Sequence, residues 1–244
     1  MKFVPCEDCV LRRMARFKQF TVPELAFVRA LKSDQVDLPA RQTIIRPGPS
    51  EGGLYTLYSG WAFRYRVTES GHRHIVDVLL PGSLLGLQQL SLGSSDSGVE
   101  SLTPVTLCVL SGRTLHDLFA RFGDLAGAMV LALLEDERRG DARLALISRL
   151  SAPERLAYFL LELFDRLEAL GMTSDSWCHF PLQRRHLADL LGLSETHVSR
   201  SMQELRRREL ASISSNALKI VDRPEMTAFS GYRLPETSLP RLLL

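Results

Sequence analysis

Residues 183–205 read QRRHLADLLGLSETHVSRSMQEL, and this stretch decides the fold of the second half of the chain. The spacing of its apolar residues predicts a short helix over 183–191 and a second helix over 195–205. Gly192 between them supplies the positive φ that a tight turn between two helices needs, and Ser194 is an N-cap residue for the second helix. The pattern predicts a helix-turn-helix.

The packing residues of this stretch support that interpretation. Ala188 is small enough to let the two helices cross closely, and Leu193 and Val198 are expected to fill the wedge between them. Ser201 departs from the pattern, because such motifs usually have an aliphatic residue at this position.

In such a motif the first turns of the second helix enter the major groove of DNA. Arg200 can donate two hydrogen bonds to O6 and N7 of guanine. The predicted base-reading residues are Glu195, Thr196, His197, Ser199 and Arg200. Phosphate contacts, which position a protein without specifying sequence, are predicted for Arg184, Arg185, Ser194, Arg206, Arg207 and Arg208. The alternative interpretation of these polar residues is a solvated helix face.

The residues around the motif complete a predicted DNA-binding domain over 151–230. Ser151 and Glu154 form a capping box at a helix start, with a proline in the first turn. Residues 213–221 are predicted to form a β-hairpin wing. Residues 231–244 are expected to be a tail whose last leucines could dock elsewhere on the protein.

The first half of the chain shows a different period. Between residues 37 and 110 large side chains alternate with small or charged ones, most clearly in 61–67 and 74–80. Many short strands with regular turns predict a small β-barrel or jelly roll, which we place within 21–123, after an N-terminal cysteine-containing segment over 1–20. Residues 91–98 are predicted to be a flexible loop from their composition.

Residues 124–150 return to a helical period and predict one long helix. Its apolar stripe consists of Leu125, Val130, Leu133, Leu134, Leu144 and Ile147. A helix that packs on its own barrel explains this stripe, and so does a helix that pairs with a second copy as a dimer seam.

Composition limits the function classes. The chain has 244 residues and a formal charge of +2, so its net charge does not itself indicate a nucleic-acid partner. No window approaches the roughly 18 apolar residues of a membrane span, so we expect a cytoplasmic protein without a membrane partner. Four cysteines in such a chain argue against a disulfide framework. With no glycine-rich phosphate loop or catalytic motif, an enzyme is not expected.

The order of these elements resembles the CRP/FNR family of bacterial transcription regulators over roughly residues 37–222. The strings that support the resemblance are LYTLYSG (54–60), LPGSLLG (80–86), ERLA (154–157) and LGLS (191–194). The resemblance implies an α+β fold with a cyclic-nucleotide-binding-like β-barrel (jelly roll), a long dimerisation helix and a C-terminal winged helix-turn-helix.

The resemblance also implies partners and a location. The protein would be a homodimer that binds palindromic double-stranded DNA, works with RNA polymerase, and is associated with the nucleoid when active. It favours the dimer seam, formed by Val130, Leu133, Asp141 and Leu144. Asp141 matches an aspartate that opposes dimerisation by charge repulsion in FNR-like proteins.

Two departures from the family are informative. The cyclic-AMP-binding branch holds ribose and phosphate with a Gly-Glu pair and an Arg-Ser pair, where this chain has Gly86-Leu87 and Ser95-Asp96. Without the arginine the phosphate lacks a charge-matched partner, so cyclic AMP is not expected as the effector. In the reading helix the family's usual glutamate position has Thr196, with Glu195 one place earlier, while Ser199 and Arg200 match the FNR-like pattern.

Cys6, Cys9 and Cys108 are the candidate metal ligands. The Cys6-x-x-Cys9 pair is a weak signal alone, but it resembles the start of the cysteine cluster in FNR, and Cys108 lies on the strand whose counterpart carries the distant cluster ligand. The third N-terminal cysteine is absent. A [4Fe–4S] cluster would therefore need a ligand such as Glu7 or Asp8, or an open iron. A thiol–disulfide switch and cysteines with no sensing role remain alternatives.

The sequence thus predicts a regulator whose signal is oxygen, nitric oxide or redox state. The signal would change packing along 124–148 and thereby the separation of the two reading helices. The alternative is a regulator with no effector, controlled by its own abundance. Cys178 is expected to be a small buried apolar residue without a role in sensing.

Overall fold

The structure, a computed structural model, describes residues 3–49, 53–69, 71–111, 114–234 and 241–244. These residues form two compact units. The first contains the described residues up to Leu134 together with residues 241–244, and the second contains those from Glu135 to Leu234. Within the described ranges, no helix combines the length and the apolar character that crossing a membrane requires.

The first unit is built on antiparallel β-sheets. Its strands are β1 (Lys32–Leu38), β2 (Thr43–Ile45), β3 (Gly48–Pro49), β4 (Leu54–Ser59), β5 (Ala62–Val67), β6 (Arg73–Leu79), β7 (Leu84–Leu85), β8 (Ser94–Ser95), β9 (Ser97–Ser101) and β10 (Val105–Leu110). The sheet orders are β1-β10-β4-β7, β2-β9-β5-β6 and β3-β8. Leu57 and Leu107 from the first sheet pack with Ala62, Leu79 and Val99 from the second. The β architecture predicted from the alternating pattern is confirmed.

The prediction of a flexible loop over residues 91–98 is wrong for most of its length. Helix α2 (Leu87–Leu92) is followed by β8 and β9. The hydroxyl oxygen of Ser95 lies 2.8 Å from the carbonyl oxygen of Ser97 and 3.0 Å from Oε1 of Gln88, and its single proton can be donated to either acceptor. One of the serines that suggested a loop, Ser95, therefore uses its hydroxyl to link β8 with the start of β9.

Helices precede and follow the strands of this unit. Two short 3-10 helices, Cys6–Asp8 and Val10–Arg13, come before α1 (Val22–Leu31). After the strands come α3 (Thr114–Arg121) and the long helix α4 (Gly123–Arg149), which continues into the second unit. A second core forms where Leu118, Leu125 and Met129 pack with Val28 and Leu54.

The second unit begins in α4 and contains a four-stranded sheet and four further helices. Its elements are α5 (Ala152–Glu168), β11 (Thr173–Ser174), β12 (Trp177–His179), α6 (Arg184–Leu191), α7 (Glu195–Arg207), β13 (Ala211–Ser214), β14 (Ala217–Ile220) and α8 (Arg223–Ser230). The sheet order is β11-β12-β14-β13. The predicted capping box is present: the amide of Ser151 donates to Oε2 of Glu154 at 2.8 Å.

Cys178 lies on β12 and is 1% exposed. Its burial raises the pKa of the thiol from 9.0 to about 11. This residue is the small buried apolar side chain that the sequence predicts.

Candidate functional site

The helix-turn-helix consists of α6, a three-residue turn and α7. Gly192 ends α6 with φ 63°, the left-handed conformation that its position in the sequence predicts. Ser194 then caps α7, because its hydroxyl accepts a hydrogen bond from the amide of His197 at 3.2 Å. The local sequence thus determines both the end of one helix and the start of the next.

The interior of this motif is tightly packed. Val198 is fully buried, Ala188 is buried and Leu193 is half-buried. Ser201, where an aliphatic residue is usual, is 1% exposed. The side chain of Ser201 therefore lies on the buried face of α7, where its small size suits the tight packing of the motif.

The outer face of α7 presents polar groups at its N-terminal end. Glu195, Thr196 and Arg200 are exposed. Ser199 is half-buried, and its hydroxyl accepts a hydrogen bond from Nη1 of Arg184 at 3.3 Å. The structure thus brings a predicted base-reading residue and a predicted phosphate-binding residue into contact.

Two other predicted DNA contacts have an intramolecular role. Nδ1 of His197 lies 2.8 Å from the hydroxyl of Ser194, so these side chains close the cap of α7 together. A contact of either side chain with DNA would have to form alongside this cap or replace it.

The arginines at the other end of α7 are partly neutralised. Oε1 of Glu204 lies 2.7 Å from Nη2 of Arg207 and 2.6 Å from Nε of Arg208. Hydrogen bonds from both arginines hold the pKa of Glu204 below its ordinary value. Arg206 is exposed on the same turn, so this end of the helix remains cationic.

A buried ionic cluster, which the sequence patterns did not indicate, joins α4 to α5 inside the second unit. Glu162 is 9% exposed, and its Oε1 lies 3.4 Å from Arg143, 3.6 Å from Arg166 and 3.7 Å from Arg139. Arg139 also pairs with Asp136 at 2.6 Å. Because one carboxylate faces three guanidinium groups, it is central to the packing of the two helices.

The apolar stripe of α4 is largely exposed. The large apolar residues on its surface are Val130, Leu131, Leu133, Leu134, Leu144 and Ile147, each between 38% and 70% exposed. Four of them, together with Glu137 and Gly140, follow the 3-4 spacing of a coiled-coil seam over 130–147. A Cβ added at Gly140 would meet open space, so the middle of the stripe allows the close approach of another helix.

In the first unit, the structure brings Cys6, Cys9 and Cys108 to one cavity. The cavity is lined by Val4, Cys6, Cys9, Leu11, Arg12, Lys32, Thr56, Tyr58, Cys108, Leu110, Leu243 and Leu244. Cys6 and Cys108 are buried and Cys9 is half-buried. Cys108 therefore lies at the same cavity as two cysteines that are 99 and 102 positions earlier in the sequence.

Two cations lie among these thiols. Burial raises the pKa of Cys6, and the nearby charges of Arg12 and Lys32 oppose this shift. Burial also raises the pKa of Cys108, which Lys32 opposes by its charge and by a hydrogen bond. Buried atoms Nε and Nη1 of Arg12 have no hydrogen-bond partner among the described residues. On balance the protonated thiols are favoured, and the two cations only reduce the cost of placing a thiolate or another anion in the cavity.

The cavity has suitable donor groups for an iron–sulfur cluster but not enough space for one. Three thiols beside two cations are suitable donor chemistry for an anionic thiolate-bound group. The free volume is only about 20 Å³, however, and among the described residues no three ligand side chains are arranged to hold a metal ion. Leu243 and Leu244 line the cavity. This conformation does not accommodate a cluster.

The positions that were compared with the cyclic-AMP-binding residues of the family, 86–87 and 95–96, have structural roles in this protein. Gly86 begins α2 with φ 92°, and a Cβ there would lie 2.0 Å from the carbonyl oxygen of Gly53. Ser95 is buried in the hydrogen bonds described above, and Asp96 pairs with Arg66 at 3.0 Å on the surface.

Sequence reasoning did not identify several residues of these sites. Arg12 lies three residues after Cys9, and Lys32 begins β1. Neither position indicates, without the fold, that both residues line the same cavity. The apolar character of residues 242–244 was visible, but not their position beside the cysteines.

Comparisons with known proteins agree with this architecture. Residues 35–122 match the cyclic nucleotide-binding domain, and residues 154–229 match the Crp-like helix-turn-helix domain. The chain is 23% identical to the transcriptional activator protein anr of Pseudomonas aeruginosa over 94% of this chain and 93% of that protein. It is 24% identical to the fumarate and nitrate reduction regulatory protein of Salmonella typhimurium over 94% and 91%.

The fold also matches a solved structure. FixK2 from Bradyrhizobium japonicum aligns with a TM-score of 0.73 at 20% identity, covering 82% of this chain and 98% of that chain. The two domain matches together span most of the described chain, in the order that the sequence predicts. This chain belongs to the CRP/FNR family of transcription regulators, in its FNR-like branch, and is not an enzyme.

Proposed function

We propose that this protein is a homodimeric, sequence-specific DNA-binding regulator that responds to oxygen, nitric oxide or redox state through Cys6, Cys9 and Cys108. The observation that supports the signal most directly is the meeting of these three thiols in one cavity beside Arg12. The family membership supports the DNA-binding part.

The exposed start of α7 is the proposed reading surface. Arg200 contacts a guanine in the major groove, with Thr196 and Glu195 on adjacent bases. Arg184 and Arg206 contact phosphates on either side of this contact. Ser194 and His197 support the reading helix through its cap, and Arg207 and Arg208 contribute less because Glu204 offsets one of their two charges.

The exposed stripe of α4 is the proposed dimer seam. A twofold axis along this helix would bury Val130, Leu133 and Leu144 of both copies and bring the two Asp141 carboxylates near each other. Two reading helices related by this axis would bind a palindrome with half-sites about 34 Å apart. RNA polymerase is the expected partner once the dimer is bound, in the cytoplasm and on the nucleoid.

The cysteine cavity is the proposed sensor. Raised thiol pKa values keep Cys6 and Cys108 protonated at neutral pH, and the cations nearby stabilise any thiolate that forms. The anaerobic regulatory protein of Haemophilus influenzae, 24% identical over 97% of this chain and 91% of that protein, supports a signal connected with anaerobic regulation. Cyclic AMP is not the proposed effector, because Ser95 and Asp96 stand where its phosphate would need an arginine.

The test begins with selection of bound duplexes from a random library, followed by affinity measurements on the selected site. We expect a palindromic consensus, and an affinity that falls steeply as salt rises. A non-palindromic consensus would refute the twofold arrangement, and a flat salt response would refute phosphate binding.

The signal is tested by measuring the same affinity without oxygen and after exposure to air. A change is expected in the natural protein and in a Cys178→Ser control, and it should be lost in Cys108→Ser. Equal affinities under both conditions would favour the alternative, a regulator controlled by its own abundance.

A further inference from the structure

Residues 241–244 pack against the cavity that contains the three cysteines, and two of them form part of its wall. Leu242, Leu243 and Leu244 are 6%, 2% and 5% exposed. Leu243 and Leu244 belong to the lining of the cavity, although more than 130 residues separate them from Cys108. The free volume that they leave, about 20 Å³, has room for about one water molecule.

This segment is held by backbone as well as by apolar contacts. The amide of Arg241 donates to the carbonyl of Arg16, and the amide of Lys18 donates to the carbonyl of Arg241, both at 2.9 Å. These bonds form a short parallel bridge between Phe17 and Arg241. The segment is therefore anchored to the stretch that follows the N-terminal cysteines.

A second anchor lies next to Cys108 itself. The hydroxyl of Thr56 donates to the carbonyl oxygen of Leu244 at 2.5 Å. Thr56 on β4 is directly opposite Cys108 on β10. In an antiparallel pair, such neighbours have their Cβ atoms about 5 Å apart. The segment thus contacts Thr56, which is the neighbour of Cys108, and Arg16 and Lys18, which follow Cys6 and Cys9 in the sequence.

We propose that residues 241–244 are an internal plug of the cysteine cavity, and that a covalent adduct on one of its thiols fits in the cavity only when the plug leaves. The plug does not depend on the proposed function. Only the assignment of the cavity as a sensor rests on that function. The chemistry expected of an occupant follows from the lining. It bonds to a cysteine sulfur and accepts hydrogen bonds, because Arg12 offers buried N–H groups without a partner among the described residues.

The first test measures access to the thiols. The full chain, reduced and free of metal, is treated with N-ethylmaleimide, and the alkylation rate of each cysteine is followed by mass spectrometry. In the double variant Leu243→Ala, Leu244→Ala, we expect Cys9 and Cys108 to react at least tenfold faster, because truncating two buried leucines removes the apolar contacts that hold the plugged state. Leu234→Ala is the matched control, since Leu234 is 61% exposed.

Cys178 reports whether the fold is intact in these variants, because it is buried in the second unit. Its rate should be unchanged in both. Faster reaction of the cavity cysteines, with an unchanged rate at Cys178, supports the plug. Rates within twofold of the natural protein at every cysteine would overturn it.

The second test does not depend on a variant that folds. Amide hydrogen exchange is measured on the natural protein before and after complete alkylation of Cys108. An adduct larger than the free volume must displace the plug, so the amides of Arg241 and Lys18 should lose protection while the strands β13 and β14 keep theirs. Unchanged protection at both amides on the alkylated protein would overturn the proposal.

Failure of the plug and failure of the proposed function give different results. Both plug tests use protein without DNA and without a signal, so they stand even if air leaves DNA affinity unchanged. Conversely, unchanged alkylation rates combined with an air-dependent DNA affinity would refute the plug and leave the sensor in place.

Discussion

Replacing Leu144 by alanine should weaken the proposed dimer, by an amount that its exposure sets. This side chain is 70% exposed in the single chain. Fully burying a leucine stabilises by about 1.5–3 kcal/mol, so covering the exposed part is worth about 1–2 kcal/mol in each copy. Alanine retains part of this contact. We therefore expect a loss of about 1 kcal/mol per copy and about 2 kcal/mol per dimer, since the twofold axis repeats the change.

A loss of about 2 kcal/mol corresponds to a dissociation constant about 30-fold larger. Sedimentation equilibrium at several protein concentrations, chosen to span the monomer–dimer transition, measures this constant directly. Affinity for a palindromic duplex should fall in parallel at low protein concentration, because the monomer has only one reading helix. Leu92→Ala is the control, since Leu92 is 75% exposed on α2, outside the proposed seam.

Asp141→Ala should act in the opposite direction. Removing two facing carboxylates removes a repulsion of about 1 kcal/mol, which would tighten the dimer about fivefold. The reasoning is refuted if Leu144→Ala and Leu92→Ala give the same dissociation constant, or if Asp141→Ala weakens the dimer.

Three further predictions concern the second unit. Arg200→Ala should lose about 1–3 kcal/mol on the selected site and relax the choice of one base, as measured by binding to single-base variants; an equal loss on random DNA would contradict base reading. Glu162→Gln should lower the free energy of unfolding, measured in urea, by about 3 kcal/mol, because three arginines lose their shared carboxylate. The control is Glu168→Gln at a half-exposed position, which should change this free energy by less than about 0.5 kcal/mol. The folded-state pKa of Cys178 is raised from 9.0 to about 11, so this thiol should contribute stability below pH 9 that is lost as pH rises toward 11. Cys178→Ala should therefore flatten the plot of unfolding free energy against pH between these values. An unchanged slope of this plot would count against the assigned pKa.

Local patterns predicted the DNA-binding unit well. Gly192 and Ser194 specify a turn and a cap through their own backbone and side-chain chemistry, so the helix bounds follow from a few residues. The strands of the first unit were predictable for the same reason, because alternation depends on neighbours two positions apart.

Features that depend on contacts between distant residues were not predictable. The serines of 91–98 suggested a loop, yet Ser95 uses its hydroxyl to hold two short strands. Glu162 occupies one position of an amphipathic helix, and only the packing of α4 beside α5 shows that it faces three arginines. Three leucines at 242–244 predict burial but do not indicate which cavity receives them, since the pattern contains no information about the partner surface.

The plug gives the cysteine cavity a property that three buried thiols alone would lack. A group that binds only the open cavity must first displace Leu243 and Leu244, so its apparent affinity is reduced by the fraction of molecules in which the cavity is open. Linkage makes the effect reciprocal. Any interaction that stabilises residues 241–244 in the cavity lowers the affinity of the cavity for an occupant, and a bound occupant lowers the affinity of the cavity for residues 241–244. These residues follow the DNA-binding unit in the same chain, so their release is a change in the segment directly after that unit. A sensor built this way would stay closed to weak or transient thiol ligands and respond only to those whose binding free energy exceeds that of the leucine contacts.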